Sequence, residues 1–150
     1  MRKMIECLDL EECIQDLLEN FDPLLKEKKF TIKVENIQGI CYTDQRSFEF
    51  ILSQILANSI KYSSDKPELN IYISKDKGRT SLIIRDNGCG VKACDFPHIF
   101  EKGFTGDSGE TRKKSTGMGL YLVKQLADSL KIEITVKSEW MQGFEISLSI

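Results

Sequence analysis

Three stretches of the chain carry apolar residues at helical spacing, and six shorter ones alternate or run apolar like strands. The first helix is expected from Asp9 to about Lys28. Asp9 followed by Glu12 reads as a capping box, and Leu10, Ile14, Leu17, Leu18 and Phe21 recur on one face. Pro23 is where this helix is expected to kink or split. Asp44 is positioned to cap a second helix whose buried face is Phe48, Ile51, Leu52 and Ile55, with Pro67 barring its extension. A third helix opens at Gly117, with Leu120, Val123, Ala127 and Leu130 facing inward.

The strands are expected at Phe30 to Glu35, Ile40 to Tyr42, Leu69 to Ser74, Ser81 to Arg85, Ile132 to Val136 and Phe144 to Ile150. Asp76-Lys77-Gly78-Arg79 reads as a hairpin turn between the third and fourth. From Val91 to Thr116 no period holds, and a stretch of that length in a compact domain is usually functional. It reads as a lid with a short helix near Phe96 to Lys102. Helices and strands do not alternate strictly, so the expected fold is a two-layer α/β sandwich: a mixed sheet packed on three main helices.

At 150 residues the chain fits one domain with a core of its own. A formal net charge of -2 gives no bulk electrostatic reason to expect nucleic acid or a membrane surface as partner. Five cysteines, Cys7, Cys13, Cys41, Cys89 and Cys94, contain no C-x-x-C pair, and the single histidine, His98, argues against a typical Cys/His zinc site. They read as reduced thiols of a cytosolic protein. No apolar run approaches the roughly 20 residues of a membrane span.

Four clusters carry candidate chemistry. Gln54, Asn58, Lys61 and Tyr62 lie three or four residues apart along one helical stripe. An asparagine oxygen is a hard ligand suited to Mg²⁺, and a lysine one turn on can neutralise phosphate. An amphipathic helix with a polar edge accounts for the same residues. Asp86-Asn87-Gly88-Cys89-Gly90 follows a strand. Its carboxylate can accept from an exocyclic amine such as adenine's, and its glycines let the backbone turn with positive φ and approach a flat ring. Replacing that amine by a carbonyl would leave the carboxylate unpaired, at about 1–3 kcal/mol. A plain turn explains the pattern as well. Ser115-Thr116-Gly117-Met118-Gly119-Leu120 at a helix start offers N–H groups to an anion, or is simply a turn into the helix. Ile99 to Gly106 supplies Phe100 and Phe104 as apolar anchors. Lys102, Arg112, Lys113 and Lys114 are in reach of phosphates, or the last three form a solvated charge run.

Order and spacing together resemble the histidine-kinase branch of the GHKL ATPase superfamily, which shares the Bergerat ATP-binding fold. Asn58 with Lys61-Tyr62 is similar to the N box, Asp86 to Gly90 to the G1 box, Phe100 to Phe104 to the F box, and Gly117 to Leu120 to the G2 box. The resemblance spans about Asp9 to Ile150. It implies ATP and Mg²⁺ as cofactors. Asn58 would hold the metal, Asp86 would take the adenine amine beside Gly88 and Gly90, and Tyr62 would pack near the base. Lys61 would face the phosphates, with Lys102 in the place of a basic F-box residue. Phe104, Thr116 and Met118 belong to the same ATP-binding set. Gly117 and Gly119 would cradle the triphosphate, with Leu120 seating the helix.

ATP-hydrolysing relatives carry a glutamate where this chain has Gln54. An amide is no general base, whereas phosphoryl transfer needs mainly positioning and charge neutralisation, so Gln54 favours transfer. Relatives often place small hydroxyl residues where Phe144-Glu145 stands here. The resemblance implies a histidine kinase catalytic domain at residues 9–150, lid about 91–116, with residues 1–8 a linker or the remnant of a dimerisation helix. The phosphoacceptor histidine would lie in the dimerisation and phosphotransfer domain of a longer parent, and His98 has a surface or packing role. The isolated domain is expected to be monomeric and the parent a homodimer anchored in the plasma membrane, signalling to a response regulator. In detail, Gln54 to Ser63 and Ser115 to Lys124 resemble small membrane-anchored kinases that accompany peptide-antibiotic exporters. The competing functions are an anti-sigma-factor serine kinase, a GHKL ATPase and a non-enzymatic binding module. Gln54 and the phenylalanine-rich F box weigh against the first, Gln54 against the second, and the intact glycine boxes against the third.

Overall fold

The computed structural model describes residues 3–104 and 119–150. Helix α1, Leu10–Glu27, begins where its capping signal lies: the Asp9 carboxylate accepts from the Glu12 N–H at 3.3 Å. It runs through Pro23 unbroken, and the proline is exposed. Helix α2, Gln45–Lys61, is capped by Asp44, which accepts from the Ser47 N–H at 3.0 Å. Helix α3 is described over Gly119–Ser129. The expected start at Gly117 falls outside the described residues.

Seven strands are described: β1 Ile5–Asp9, β2 Thr31–Glu35, β3 Ile40–Asp44, β4 Glu68–Asp76, β5 Arg79–Asp86, β6 Glu133–Glu139 and β7 Gly143–Ser149. Five of them form one sheet in the order β2-β4-β5-β7-β6, with β2 and β4 parallel and the other pairs antiparallel. The β4–β5 turn is made by Lys77 and Gly78, both with positive φ (51° and 79°), as a tight two-residue hairpin requires. Strands β1 and β3 form a separate antiparallel pair.

The sequence pattern did not foresee β1. Residues 1–8 were expected to be linker or helix remnant, but Ile5–Asp9 pairs with β3 and Leu8 is buried in the core. The alternation there covers only a few residues and is mixed with charges, too short to register as a strand.

One core lies between the large sheet and the helices. Leu69, Ile71, Ile73, Leu82, Ile84, Ile146 and Leu148 supply the sheet side, and Ile14, Phe48, Ile51, Leu52, Ile55, Leu56, Val123 and Ala127 the helix side. Strands β4, β5 and β7 bury alternate residues, so one face of the sheet meets helices and the other is mainly polar, with Tyr72 and Ile83 paired on it. This is the expected two-layer sandwich of a mixed sheet and three helices. In the stretch expected to be lid, residues 91–104 hold only a single 3₁₀ turn at Phe96–His98, and the remainder lies outside the described residues.

Phe48 is fully buried at the start of α2, where it joins the core. Phe48→Ala is expected to cost about 3–5 kcal/mol in urea unfolding. A loss under about 1 kcal/mol would mean that the site collapses freely on deletion.

Candidate functional site

Of the residues singled out from the sequence, Gln54, Asn58, Lys61 and Tyr62 lie on or just after α2, Asp86, Gly88 and Gly90 at and after the end of β5, and Gly119 and Leu120 at the start of α3. β5 delivers Asp86 at its last position, 8% exposed. The strand pattern that buries Leu82 and Ile84 buries Asp86 on the same face, so a carboxylate is carried into the apolar layer. Burial pushes its pKa above the usual carboxylate range. Hydrogen bonds from the Gly88 N–H, the Ser59 hydroxyl and the Phe144 N–H act in the opposite direction, favouring the ionised form. The Gly88 bond is 2.8 Å long.

The turn after Asp86 lies against the end of α2. The Cys89 N–H donates to the Tyr62 carbonyl at 3.0 Å, and a Cβ on Gly88 would collide with that same oxygen. Both glycines are required by close approach, since a Cβ on Gly90 would collide with the Glu139 carbonyl; Gly90 also has the expected positive φ, 66°, whereas Gly88 is not required by its backbone angle. The Cys89 thiol is half-buried, and its pKa is raised by burial and by the neighbouring Asp86 charge.

On α2, Gln54 and Asn58 face the start of α3. A Cβ on Gly119 would lie 3.0 Å from Gln54 Oε1 and 3.9 Å from Asn58 Oδ1. Glycine thus leaves room between the amide stripe and the first turn of α3. Lys61 and Tyr62 close α2, with the Lys61 ammonium 5.8 Å from the Tyr62 ring centroid, and partial burial lowers the Lys61 pKa. Leu120 is half-buried on α3. Thr116, Gly117 and Met118 fall outside the described residues, as do Arg112, Lys113 and Lys114.

The F-box residues are not drawn into this cluster by any described contact. Lys102 is exposed. Phe104 is half-buried and stacks on His98, with ring centroids 6.1 Å apart, and His98 Nδ1 pairs with Glu101 at 2.6 Å. His98 is therefore an exposed residue with a packing contact.

Three supporting groups were not picked out from the sequence. The Asn87 side chain accepts from the Glu68 N–H (2.7 Å) and the Ser64 hydroxyl (3.3 Å). It also donates to the Lys66 carbonyl (2.9 Å) and the Glu68 carboxylate (3.0 Å), tying the turn to the α2–β4 connection. Ser138 accepts from the Val91 N–H (2.9 Å) and donates to the Gly143 carbonyl (2.7 Å), anchoring the far side of the turn to the β6–β7 hairpin. Ser59 is buried beside Asp86. Only Ser59 left a trace in the sequence, as a hydroxyl among the apolar residues of α2.

The raised pKa of Asp86 makes its charge a cost to folding. That cost is full above the folded-state pKa and vanishes once pH falls below the unfolded value. Asp86→Asn is thus expected to raise the urea midpoint most at about pH 8, the gain shrinking toward about pH 4. A variant destabilised equally at both ends would mean that hydrogen bonding outweighs burial at this carboxyl.

Comparison with known proteins identifies the family. Residues 43–150 match the family model described as histidine kinase-, DNA gyrase B-, and HSP90-like ATPase. The chain is 32% identical to the sensor histidine kinase YxdK of Bacillus subtilis, over 97% of this chain and 45% of that protein. It is 39% identical to the sensor protein BceS of Halalkalibacterium halodurans, over 97% of this chain and 43% of that protein. The chain thus spans less than half the length of these relatives. Among solved structures, the mycobacterial sensor histidine kinase MprB superposes with a TM-score of 0.80 at 21% identity, covering 98% of this chain and 97% of that one. The fold is therefore the one seen in that kinase structure, and the chain belongs to the family described as histidine kinase-, DNA gyrase B-, and HSP90-like ATPase, with a sensor histidine kinase among its similar relatives.

Proposed function

We propose that the chain binds Mg·ATP between α2, the Asp86 turn and the start of α3, and presents the γ-phosphate to a histidine on a separate dimerisation and phosphotransfer domain of a longer sensor kinase. The observation that carries this is the meeting of a buried carboxylate with a backbone turn cleared of side chains beside it. A carboxylate held in an apolar layer needs a donor, and the exocyclic amine of adenine is one. Gly88 and Gly90 let the turn pack tightly on the Tyr62 and Glu139 carbonyls, which fixes the backbone beside the base, and Tyr62 supplies an aromatic wall nearby.

The phosphate end rests on Asn58, Lys61 and Gly119, and on Thr116, Gly117 and Met118 by the sequence resemblance. Lys61, partly desolvated, meets anionic oxygens at lower cost than a fully hydrated ammonium. No group of three or more acidic, cysteine or histidine side chains placed to hold a metal occurs among the described residues. That suits Mg²⁺, which binds through one or two protein oxygens, waters and phosphates rather than a protein cage. Asn58 Oδ1 would hold it, and the metal would neutralise charge on the phosphate oxygens. Lys102, Phe104 and Leu120 complete the proposed set.

Gln54 occupies the place from which a general base would act on water, facing Gly119. Its amide cannot take a proton at neutral pH, so a water there is not activated and the phosphoryl group survives for transfer. No helix among the described residues is long and apolar enough to cross a membrane. The parent we infer is a membrane-anchored homodimer with this domain on the cytoplasmic side, coupled to a response regulator.

Titration calorimetry with Mg·ATP is expected to show binding that Asp86→Asn weakens by roughly 10- to 100-fold or more, the fold remaining intact by circular dichroism. Incubation with γ-labelled ATP is expected to label a histidine-bearing helix pair from the parent and not the isolated domain. Unchanged affinity in the variant removes Asp86 from the site, and strong acid-labile self-labelling places the acceptor within this chain.

A further inference from the structure

Strand β5 stops at Asp86 although its ladder with β4 is set to run on. Leu69 pairs with Asp86, so the next pair is Glu68 with Asn87, and half of it forms: the Asn87 N–H donates to the Glu68 carbonyl at 3.3 Å. In an antiparallel ladder the return bond runs from the Glu68 N–H to the Asn87 carbonyl. Here the Glu68 N–H donates instead to the Asn87 side-chain oxygen, at 2.7 Å. The side-chain amide stands in for the main chain, which leaves the ladder and turns toward the end of α2, where the Cys89 N–H meets the Tyr62 carbonyl at 3.0 Å. Asparagine suits the task. Its oxygen also accepts from the Ser64 hydroxyl, and its amide nitrogen donates to the Lys66 carbonyl and the Glu68 carboxylate at 2.9 and 3.0 Å. An ionised aspartate has no donor and a serine only one.

We propose that Asn87 is a positioning residue for purine selection: by taking the Glu68 N–H it ends β5 at Asp86 and holds the carboxylate and the turn behind it where the exocyclic amine of the base is read. This rests on the nucleotide reading above and adds a selectivity role to a side chain spent on the α2–β4 connection. The Gly88 N–H reaches Asp86 Oδ1, at 2.8 Å, because the chain turns at Asn87. A ladder continued through Asn87 would carry Gly88 and Cys89 along β4, away from the Asp86 carboxylate and the Tyr62 carbonyl that they now meet. The same amide grips Ser64, Lys66 and Glu68, which follow Lys61 and Tyr62 in the chain. The purine end of the pocket is thereby fixed to the end of α2 that carries the phosphate-facing lysine.

The alternative role for Asn87 is purely structural, a fastening at the end of β4 whose loss weakens the fold and nothing more. The two roles separate by the base. Inosine triphosphate carries a carbonyl where ATP carries the exocyclic amine, and the two share ribose and triphosphate. Their affinity ratio therefore reads the contact with Asp86, and the phosphate contacts cancel. A loss of folded fraction raises both apparent Kd values by the same factor, so it leaves the ratio unmoved. Asn87→Ala removes the acceptor, so the ladder is free to close through the main chain and the turn shifts off Asp86. N87D keeps the acceptor, and E68Q beside it removes the repulsion between two carboxylates.

The test measures Kd for ATP and for inosine triphosphate, each with Mg²⁺, by calorimetry on wild type, N87A and N87D/E68Q. Wild type is expected to prefer ATP by about tenfold or more. N87A is expected to bring that preference below about threefold, chiefly by weakening ATP, and N87D/E68Q to return it to within about twofold of wild type. Should N87A fail to fold, N87S takes its place with the same expectation, because its hydroxyl is one bond too short to replace the amide oxygen. A preference carried unchanged into the variant that lacks the acceptor, or one that N87D/E68Q does not restore, overturns the proposal and leaves Asn87 as a fastening. Wild type that binds both nucleotides alike, or neither, overturns the nucleotide reading and the proposal with it. A wild-type preference for ATP keeps that reading whatever the variants do.

Discussion

Burying one carboxylate at the end of a central strand is the constraint from which the rest of the site follows. An ionised group in an apolar layer persists only where fixed donors surround it. β5 carries Asp86 into that layer as the continuation of Leu82 and Ile84, so its position is set by the same alternation that builds the core. The Gly88 N–H of the following turn donates to it at 2.8 Å, and Ser59 of helix α2 and Phe144 of strand β7 also favour its ionised form. Their geometry is fixed only while those three elements stay in register, which ties the site to the integrity of the whole sandwich. A surface carboxylate would cost less and select less, because water would replace any missing partner.

The turn behind Asp86 converts that local demand into a rigid junction. Asn87 fastens it to the connection after α2, the Cys89 N–H and the space at Gly88 seat it on the Tyr62 carbonyl, and Ser138 fastens Val91 to the β6–β7 hairpin. Met141 N–H adds a bond of 2.6 Å to the Cys89 carbonyl. Each bond uses a backbone group that would otherwise be unsatisfied, so the loop needs no secondary structure to hold one shape. The turn is thus organised mainly by backbone groups, and the side chains that hold it are few.

Much of this was legible in the sequence because it depends on local rules. Helices α1 and α2 begin at Asp9 and Asp44, whose side chains cap the helix, and the β4–β5 hairpin follows from Lys77-Gly78. The stripe Gln54, Asn58, Lys61 and the turn Asp86 to Gly90 were visible from spacing alone. The rest depended on contacts between distant residues. Strand β1 exists because β3, more than thirty residues on, pairs with it. Gly88 lacks a side chain because of a carbonyl on α2, which no property of its neighbours in sequence announces. Asn87 and Ser138 act through partners about 20 and 47 residues away, Glu68 and Val91. The family resemblance put Lys102 and Phe104 in the site, yet the described contacts give Phe104 to His98 and leave Lys102 in solvent.

Helix α2 reconciles the two demands on such a domain. Its inner face, Phe48, Ile51, Leu52, Ile55 and Leu56, is committed to the core and cannot move without cost. Its edge carries Gln54, Asn58 and Lys61, so these groups inherit the rigidity of the core, with Gln54 and Asn58 facing α3. α3 packs on the same helix, and the gap left by Gly119 lies directly over Gln54. In the proposed reading, a carboxylate at that point would draw a proton from water. An amide of nearly the same shape keeps the packing and removes the basicity. The identity of one side chain on a rigid edge can therefore separate a domain that spends its phosphoryl group on water from one that keeps it for a partner, with no change elsewhere in the fold.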